Sequence, residues 1–330
     1  MNPPTPSPPT AAAPPTPAAI DLLLYRCPTC GQGLSWRGAP SDNGALACPA
    51  GHAFAVRGGL PRFVEDEGYA ASFGYQWQTY ALAQRDSHTG APVSRNRLLL
   101  GTGWPERMPG ELILEAGCGA GRFTEVLLST GARLVSFDYS AAADVAHADF
   151  GDRAQICQAS IFAMPYAEGT FDRVFCYGVI QHTPDVSLAF SRLVQMARPG
   201  GHIAIDVYDR LRMWFNARYR VRWLTRRMPR EQLHRLARAA VTTYMKVFPP
   251  MHPWNQLVVP LKDYRGAIPG LSLEQQREFS VLDTLDALSP AHDHPQYLRT
   301  MRAWCAREGL VDVHVERGGN GIEVRARRPA

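Results

Sequence analysis

The clearest rhythm of apolar and polar positions begins near residue 111. Leu112-Ile113-Leu114 is a short apolar run that closes on Glu115. Glycines at alternate positions follow (Gly117, Gly119, Gly121), and an amphipathic stretch starts at Arg122-Phe123. That order predicts a buried strand, a tight turn and a helix. Residues 133–138 form a second apolar run that closes on Asp138, and residues 171–177 a further strand that leads into a loop and helix start at 178–185. Pro199-Gly200-Gly201 turns the chain into a fifth strand ending at Val207. Strands separated by helical segments predict an α/β fold with a parallel sheet and right-handed crossovers, and ligands then bind at the carboxyl ends of the strands. After a helix over 296–308, residues 311–317 and 322–327 read as two strands joined across Gly318-Gly319-Asn320-Gly321, a hairpin signal.

The pattern changes elsewhere. From 209 to 281 alternation stops and helical periodicity dominates, broken by Pro249, Pro250, Pro253, Pro260 and Pro269. Arginines and aromatics interleave there, among them Arg210, Arg212, Trp214, Phe215, Arg220, Trp223 and Arg226. This predicts a helical insertion that roofs a substrate site. Its arginines suit anionic groups on a substrate, nucleic acid, a membrane surface, or simply a solvated face. Aromatics are also dense over 69–80, which predicts a packed cap. Tyr75, Trp77 and His88 are functional candidates there, and packing alone is the competing account.

Glycine lacks a Cβ, so the turn at 117–121 can bend sharply and approach a ligand, while the helix behind it offers free N–H groups. Dinucleotide sites use G-x-G-x-x-G. Here the spacing is G-x-G-x-G with Arg122 next. The stretch 115–121 resembles motif I of the class I S-adenosylmethionine-dependent methyltransferases, and the series from 111 to 208, with its F-D-x-V, V-x-x-H and Pro-Gly-Gly segments, resembles their core in order and spacing. The resemblance implies a Rossmann-like seven-stranded sheet with a terminal hairpin. It implies that Glu115, Gly117, Cys118, Gly119 and Gly121 hold the methionine part of S-adenosylmethionine, that Asp138 binds the ribose, and that Tyr139, Ile161 and Val179 pack near the adenine. Ser160 stands where the family often has an acid, so a neutral hydrogen bond replaces a charge-assisted one. His182 is the candidate general base, because imidazole titrates near working pH; shaping its loop is the alternative role.

A second signature lies upstream. Cys27-x2-Cys30 is followed after seventeen residues by Cys48-x3-His52. Two knuckles with two soft ligands each can close a tetrahedron around one structural Zn²⁺, with a disulfide or a redox pair as the alternative. This part resembles the zinc ribbon of bacterial rRNA guanine methyltransferases, and, with F-G-Y-Q-W at 73–77 and D-S-H-T-G at 86–90, the chain from Cys27 onward resembles a bacterial family of ribbon-fused methyltransferases. At the other end, His292-Asp293-His294 reads as turn chemistry or, less simply, a second metal site.

Composition adds limits. The chain has 330 residues, and its formal net charge of +5 is too mild to demand a polyanion. No run reaches the length of a membrane span, and no secretory signal is evident. Residues 1–19 are mostly Pro, Ala and Thr, which predicts a disordered tail. Seven cysteines, three of them in the ribbon, leave four that suit reduced, buried thiols in a cytoplasmic protein. The expected organisation is a tail (1–19), a zinc ribbon (20–65), an aromatic cap (66–110), a methyltransferase core (111–208), a helical insertion (209–290), and a final helix with hairpin (291–330). The expected function is methyl transfer from S-adenosylmethionine to a small-molecule or glycan acceptor, at oxygen. Two alternatives stay open: an rRNA or tRNA base methyltransferase that grips RNA through ribbon and arginines, and a non-catalytic binding module.

Overall fold

The computed structural model describes residues 20–330, apart from residues 41, 66, 67, 71–73, 75, 78, 253, 256 and 257 and the side chains of Tyr69 and Trp214. The expected tail at 1–19 and the candidate Tyr75 lie outside the described residues. In chain order, four short strands come first: β1 (Ser35–Trp36), β2 (Gly44–Ala47), β3 (Ala53–Arg57) and β4 (Leu60–Pro61). Helices α1 (Asp86–Thr89) and α2 (Val93–Thr102) lead into the alternating region. There β5 (Leu112–Ala116), α3 (Arg122–Ser129), β6 (Arg133–Asp138), α4 (Ala142–Phe150) and β7 (Ala154–Gln158) are followed by β8 (Phe171–Cys176), α5 (Val186–Met196) and β9 (Ala197–Val207). The insertion holds α6 (Arg210–Trp214), α7 (Ala217–Thr225), α8 (Arg230–Val247) and α9 (Leu273–Leu288). The chain closes with α10 (Leu298–Arg307), β10 (Val311–Arg317) and β11 (Ile322–Arg327).

The main sheet has seven strands in the order β10-β11-β9-β8-β5-β6-β7. β5 to β9 are mutually parallel, and β11 enters antiparallel between β9 and β10. This is the expected Rossmann-like α/β sheet with its terminal hairpin. Successive strand residues point to opposite faces. Ile113, Leu134, Ile156, Phe175 and Ala204 therefore build one core cluster, and their neighbours Leu114, Val135, Cys157, Val174 and Ile203 build the other. Both faces are covered, which is why the strands read as continuous apolar runs rather than alternating ones.

Polar side chains start the helices. Asp185 caps α5, accepting the Leu188 N–H at 2.9 Å. Asp86 accepts from the backbone N–H groups of Ser94 and Arg95, both at 2.8 Å, and so begins α2. Ser272 and Gln275 form a reciprocal capping box at α9.

The N-terminal strands make a separate antiparallel sheet, β1-β2-β3-β4. Its last strand runs on to the edge of the main sheet, where Phe63 donates its N–H to the Gln158 carbonyl at 2.8 Å and Arg62 pairs with Asp144 at 2.5 Å. Tyr25, Leu46 and Val56 are buried in the same cluster as Leu114, so the two cores are continuous. On the opposite side, Leu233, Ala237 and Val241 of α8 pack with Val281, Leu282 and Leu285 of α9, together with Tyr80 and Ala83. Two insertion arginines are buried: Arg218 donates to Asn216 Oδ1 at 3.1 Å, and Arg222 to the carbonyls of Ala287 (3.1 Å) and Pro290 (2.6 Å).

Candidate active site

A cavity lies where the carboxyl ends of β5, β6, β8 and β9 meet the insertion. One end is formed by the turn after β5 (Gly117, Cys118, Gly119), by Asp138 and Tyr139 after β6, and by Ile161 and Val179. Gly117, Gly119 and Gly121 have φ of 78°, 52° and 91°, a region costly for any side chain, and a Cβ on Gly117 would run into Val179. Glycine at these positions thus serves both the turn and the close approach. Asp138 is set at the strand tip by three contacts: Ser140 N–H at 2.8 Å and Ser140 Oγ–H at 2.7 Å on one oxygen, Gly119 N–H at 2.9 Å on the other. Burial raises its carboxyl above the usual range against those donors.

The other end of the cavity carries His182 and Thr183 from the loop after β8, Tyr208 after β9, and Leu282, Asp283 and Asp286 from α9. His182 is buried, and its Nδ1 lies 3.2 Å from the His292 carbonyl oxygen. A carbonyl only accepts, so Nδ1 carries a proton in this contact. Tyr208 stands edge-on to the His182 ring, with centroids 5.4 Å apart, and donates its hydroxyl to Asp286 at 2.5 Å. Tyr264 does the same for Asp283, also at 2.5 Å. Burial pushes Asp286 up, while the neighbouring His182 favours its ionised form. Arg97 and Arg122 line the cavity as well. Arg97 pairs with the fully buried Asp206 at 2.5 Å. Arg122 is held by neutral acceptors, Gln84 Oε1 at 2.7 Å and Ser94 Oγ at 3.0 Å. Burial, with the like charge of Arg97, brings Arg122 down to about 10.

The structure brings most of the residues expected from the sequence to this cavity. Gly117, Cys118, Gly119, Asp138, Tyr139, Ile161, Val179, His182 and Trp77 all line it. Four lie elsewhere. Gly121 sits behind the wall, where a Cβ would meet the Phe150 ring. Glu115 sits under the turn, its Oε2 accepting the hydroxyls of Thr124 (2.6 Å) and Ser136 (2.8 Å), and burial raises it to about 7. Ser160 turns its hydroxyl to the Phe162 N–H at 3.2 Å and is not part of the wall. His88 is exposed on α1. The trio at 292–294 is taken up by packing: Asp293 accepts the Tyr219 hydroxyl at 2.8 Å, and His292 supplies its carbonyl to His182. Arg97, Tyr177, Tyr208, Asp283, Asp286 and Asn320 line the cavity without having been singled out in the sequence.

The four ribbon residues do converge. The ligand atoms of Cys27, Cys30, Cys48 and His52 all lie within 4.8 Å of one another. Cys30 Sγ and Cys48 Sγ are 3.6 Å apart, and His52 Nδ1 is 3.6 Å from Cys27 Sγ and 3.3 Å from Cys48 Sγ. All seven cysteines are free thiols. Bonds of about 2.3 Å to sulfur and about 2.0 Å to nitrogen would separate tetrahedral ligands by about 3.5–3.8 Å, so the donor set fits zinc.

Residues 114–205 match the family model described as a methyltransferase domain. The segment that builds most of the Rossmann-like sheet is thus similar to a methyltransferase domain. The match begins inside β5 and ends within β9, so it spans the glycine turn, Asp138 and His182. Two similar proteins are a ubiquinone biosynthesis O-methyltransferase of Aromatoleum aromaticum, 31% identical over 32% of this chain and 49% of its own, and a malonyl-[acyl-carrier protein] O-methyltransferase of Erwinia billingiae, 26% identical over 42% and 53%. The chain thus spans about half the length of the curated relatives it matches. Among solved structures, an S-adenosylmethionine-dependent methyltransferase from Mesorhizobium loti covers 72% of this chain and 96% of its own, at 17% identity and TM-score 0.42. The ribbon and the insertion lie outside the segment matched by the methyltransferase domain.

Proposed function

We propose that this chain transfers a methyl group from S-adenosylmethionine to an oxygen of a small molecule. The observation that carries the reading is one continuous cavity with a glycine turn and Asp138 at one end and His182, Tyr208 and Asp286 at the other. Asp138 keeps lone pairs for the two hydroxyls of a ribose. Ile161 and Val179 supply apolar walls for a purine, beside Tyr139. Arg122, hydrogen-bonded to Gln84 and Ser94, offers positive charge to an amino-acid carboxylate. When bound, S-adenosylmethionine supplies a methyl group already activated by its sulfonium.

The protein's part is to align, to exclude water and to handle one proton. Trp77 and Leu282 line the cavity from distant parts of the chain and supply apolar surface against water. Donation from His182 Nδ1 to the His292 carbonyl fixes the ring, whose Nε2 would accept the proton of an acceptor hydroxyl. Asp286 is close enough to stabilise the imidazolium that results. Glu115 holds the turn through Thr124 and Ser136 rather than touching ligand.

The ribbon residues Cys27, Cys30, Cys48 and His52 would hold one zinc ion, in a closed and structural site because all four ligands come from protein. Among the described residues no helix is long and apolar enough to cross a membrane. The free thiols suit a reducing compartment such as the cytoplasm.

Calorimetric titration with S-adenosylmethionine tests the reading. The intact protein is expected to bind one equivalent, and Asp138→Ala to bind at least about tenfold more weakly through loss of charge-assisted hydrogen bonds. Equal affinity in the variant would remove the ribose assignment, and no binding by the intact protein would remove the function.

A further inference from the structure

The short helices α6 and α7 leave the cavity and present a surface that the methyl-transfer reading does not use. Leu211, Phe215, Trp223 and Leu224 are exposed there, at 52%, 65%, 62% and 54% of their full area. Eight arginines occur from 210 to 230, with no Lys, Asp or Glu among them. Arg218 and Arg222 are buried; Arg210, Arg212, Arg220, Arg226, Arg227 and Arg230 are exposed. The one acid just before this stretch, Asp209, is buried and paired with Arg317 at 2.6 Å. Both helices also wall a second cavity, lined by Arg210, Met213, Tyr219 and Arg220 together with Asp293 and residues 184–187.

We propose that the α6–α7 surface docks on an anionic lipid bilayer. Large exposed apolar side chains interleaved in sequence with exposed guanidinium groups have the composition of an interfacial helix, which buries Leu, Phe and Trp at the acyl boundary and pairs its basic residues with headgroup phosphates. The charge decides between occupants. A second copy of the same surface would set arginines against arginines across a two-fold axis, which repels. Nucleic acid would use the arginines and stack on Trp223, but it has no use for the aliphatic Leu211 and Leu224. An anionic bilayer uses both kinds of residue. Because Tyr208 lines the reaction cavity and Arg210 begins α6, docking would bring the site to the membrane surface. The inference does not depend on the methyl donor.

The test is co-sedimentation of the full chain with vesicles of phosphatidylglycerol and phosphatidylcholine mixed, against phosphatidylcholine alone, without S-adenosylmethionine. The protein is expected to sediment with the anionic vesicles, to release as salt rises, and to remain in solution with the neutral ones. The triple variant Arg220→Glu/Arg226→Glu/Arg227→Glu and the double variant Trp223→Ser/Leu224→Ser are each expected to bind at least about tenfold more weakly. Circular dichroism and an unchanged midpoint of thermal unfolding show that both variants fold. Absence of binding to anionic vesicles overturns the proposal, as does undiminished binding by both folded variants. So does tight binding of a single-stranded RNA that anionic vesicles fail to displace.

Discussion

Glu115 and Asp138 look alike in the sequence, each an acid that closes an apolar run, yet their side chains do different work. Asp138 lines the cavity, while Glu115 is spent beneath it on Thr124 and Ser136. Nothing in the spacing of residues says which acid is consumed by neighbouring hydroxyls, because Thr124 and Ser136 come from different elements. The same limit hid Ser160, whose hydroxyl is taken by its own turn. Glu115 has a consequence for pH. Its carboxyl is raised from 4.5 to about 7 by burial, so the folded chain holds a proton that the unfolded chain releases between those values. The folded state binds more protons, and stability falls as pH rises through that window. Glu115→Gln keeps the neutral shape and removes the titration. The variant is expected to lose less stability than the intact protein between pH 5 and pH 8, by up to about 3 kcal/mol in urea unfolding of the ligand-free proteins. Identical pH profiles would show that Glu115 is ionised in the fold.

At the scale of elements, legibility followed the hydrophobic pattern. The strands of the core and the terminal hairpin were plain because a doubly covered strand is a continuous apolar run bounded by turns. The insertion was legible as helical but not in its orientation. α9 buries residues on several sides, including Phe279, Ser280, Leu282, Thr284, Leu285 and Leu288, so no single stripe marks its inner face. Asp283 and Asp286 then resemble a solvated edge, although they face the reaction cavity. The ribbon is the opposite case. Two knuckles at fixed spacing named all four residues that converge. Its strands are only two to five residues long, which is too little to stand without help, and metal binding is the natural supplement. Cys48→Ser is therefore expected to abolish bound zinc and to expose residues 20–65 to limited proteolysis, while the sheet remains protected. Zinc content and protease resistance equal to those of the intact protein would exclude this ligand set.

The whole molecule explains why one cavity draws on so much of the chain. The parallel sheet gathers its loops at one edge, the segment holding Trp77 and Gln84 covers them from the N-terminal side, and α9 covers them from the insertion. Asn320 reaches the same cavity from the hairpin, because β11 lies beside β9. Contacts of this kind join residues separated by over two hundred positions, such as Gln76 Nε2 and the Leu282 carbonyl at 3.4 Å. No local pattern reports them. The sequence locates the donor end of the cavity well, since that end is built from consecutive turns; it leaves the acceptor end open, since that end is assembled only by folding. The central claim is that S-adenosylmethionine occupies the donor end. It is tested most directly by ultraviolet cross-linking of methyl-labelled S-adenosylmethionine to the intact protein, followed by peptide mapping. The account expects label, displaced by excess S-adenosylhomocysteine, on peptides carrying Gly117–Gly119, Asp138–Tyr139 or Val179. Displaceable label confined to peptides outside this cavity, or no displaceable label at all, would contradict it.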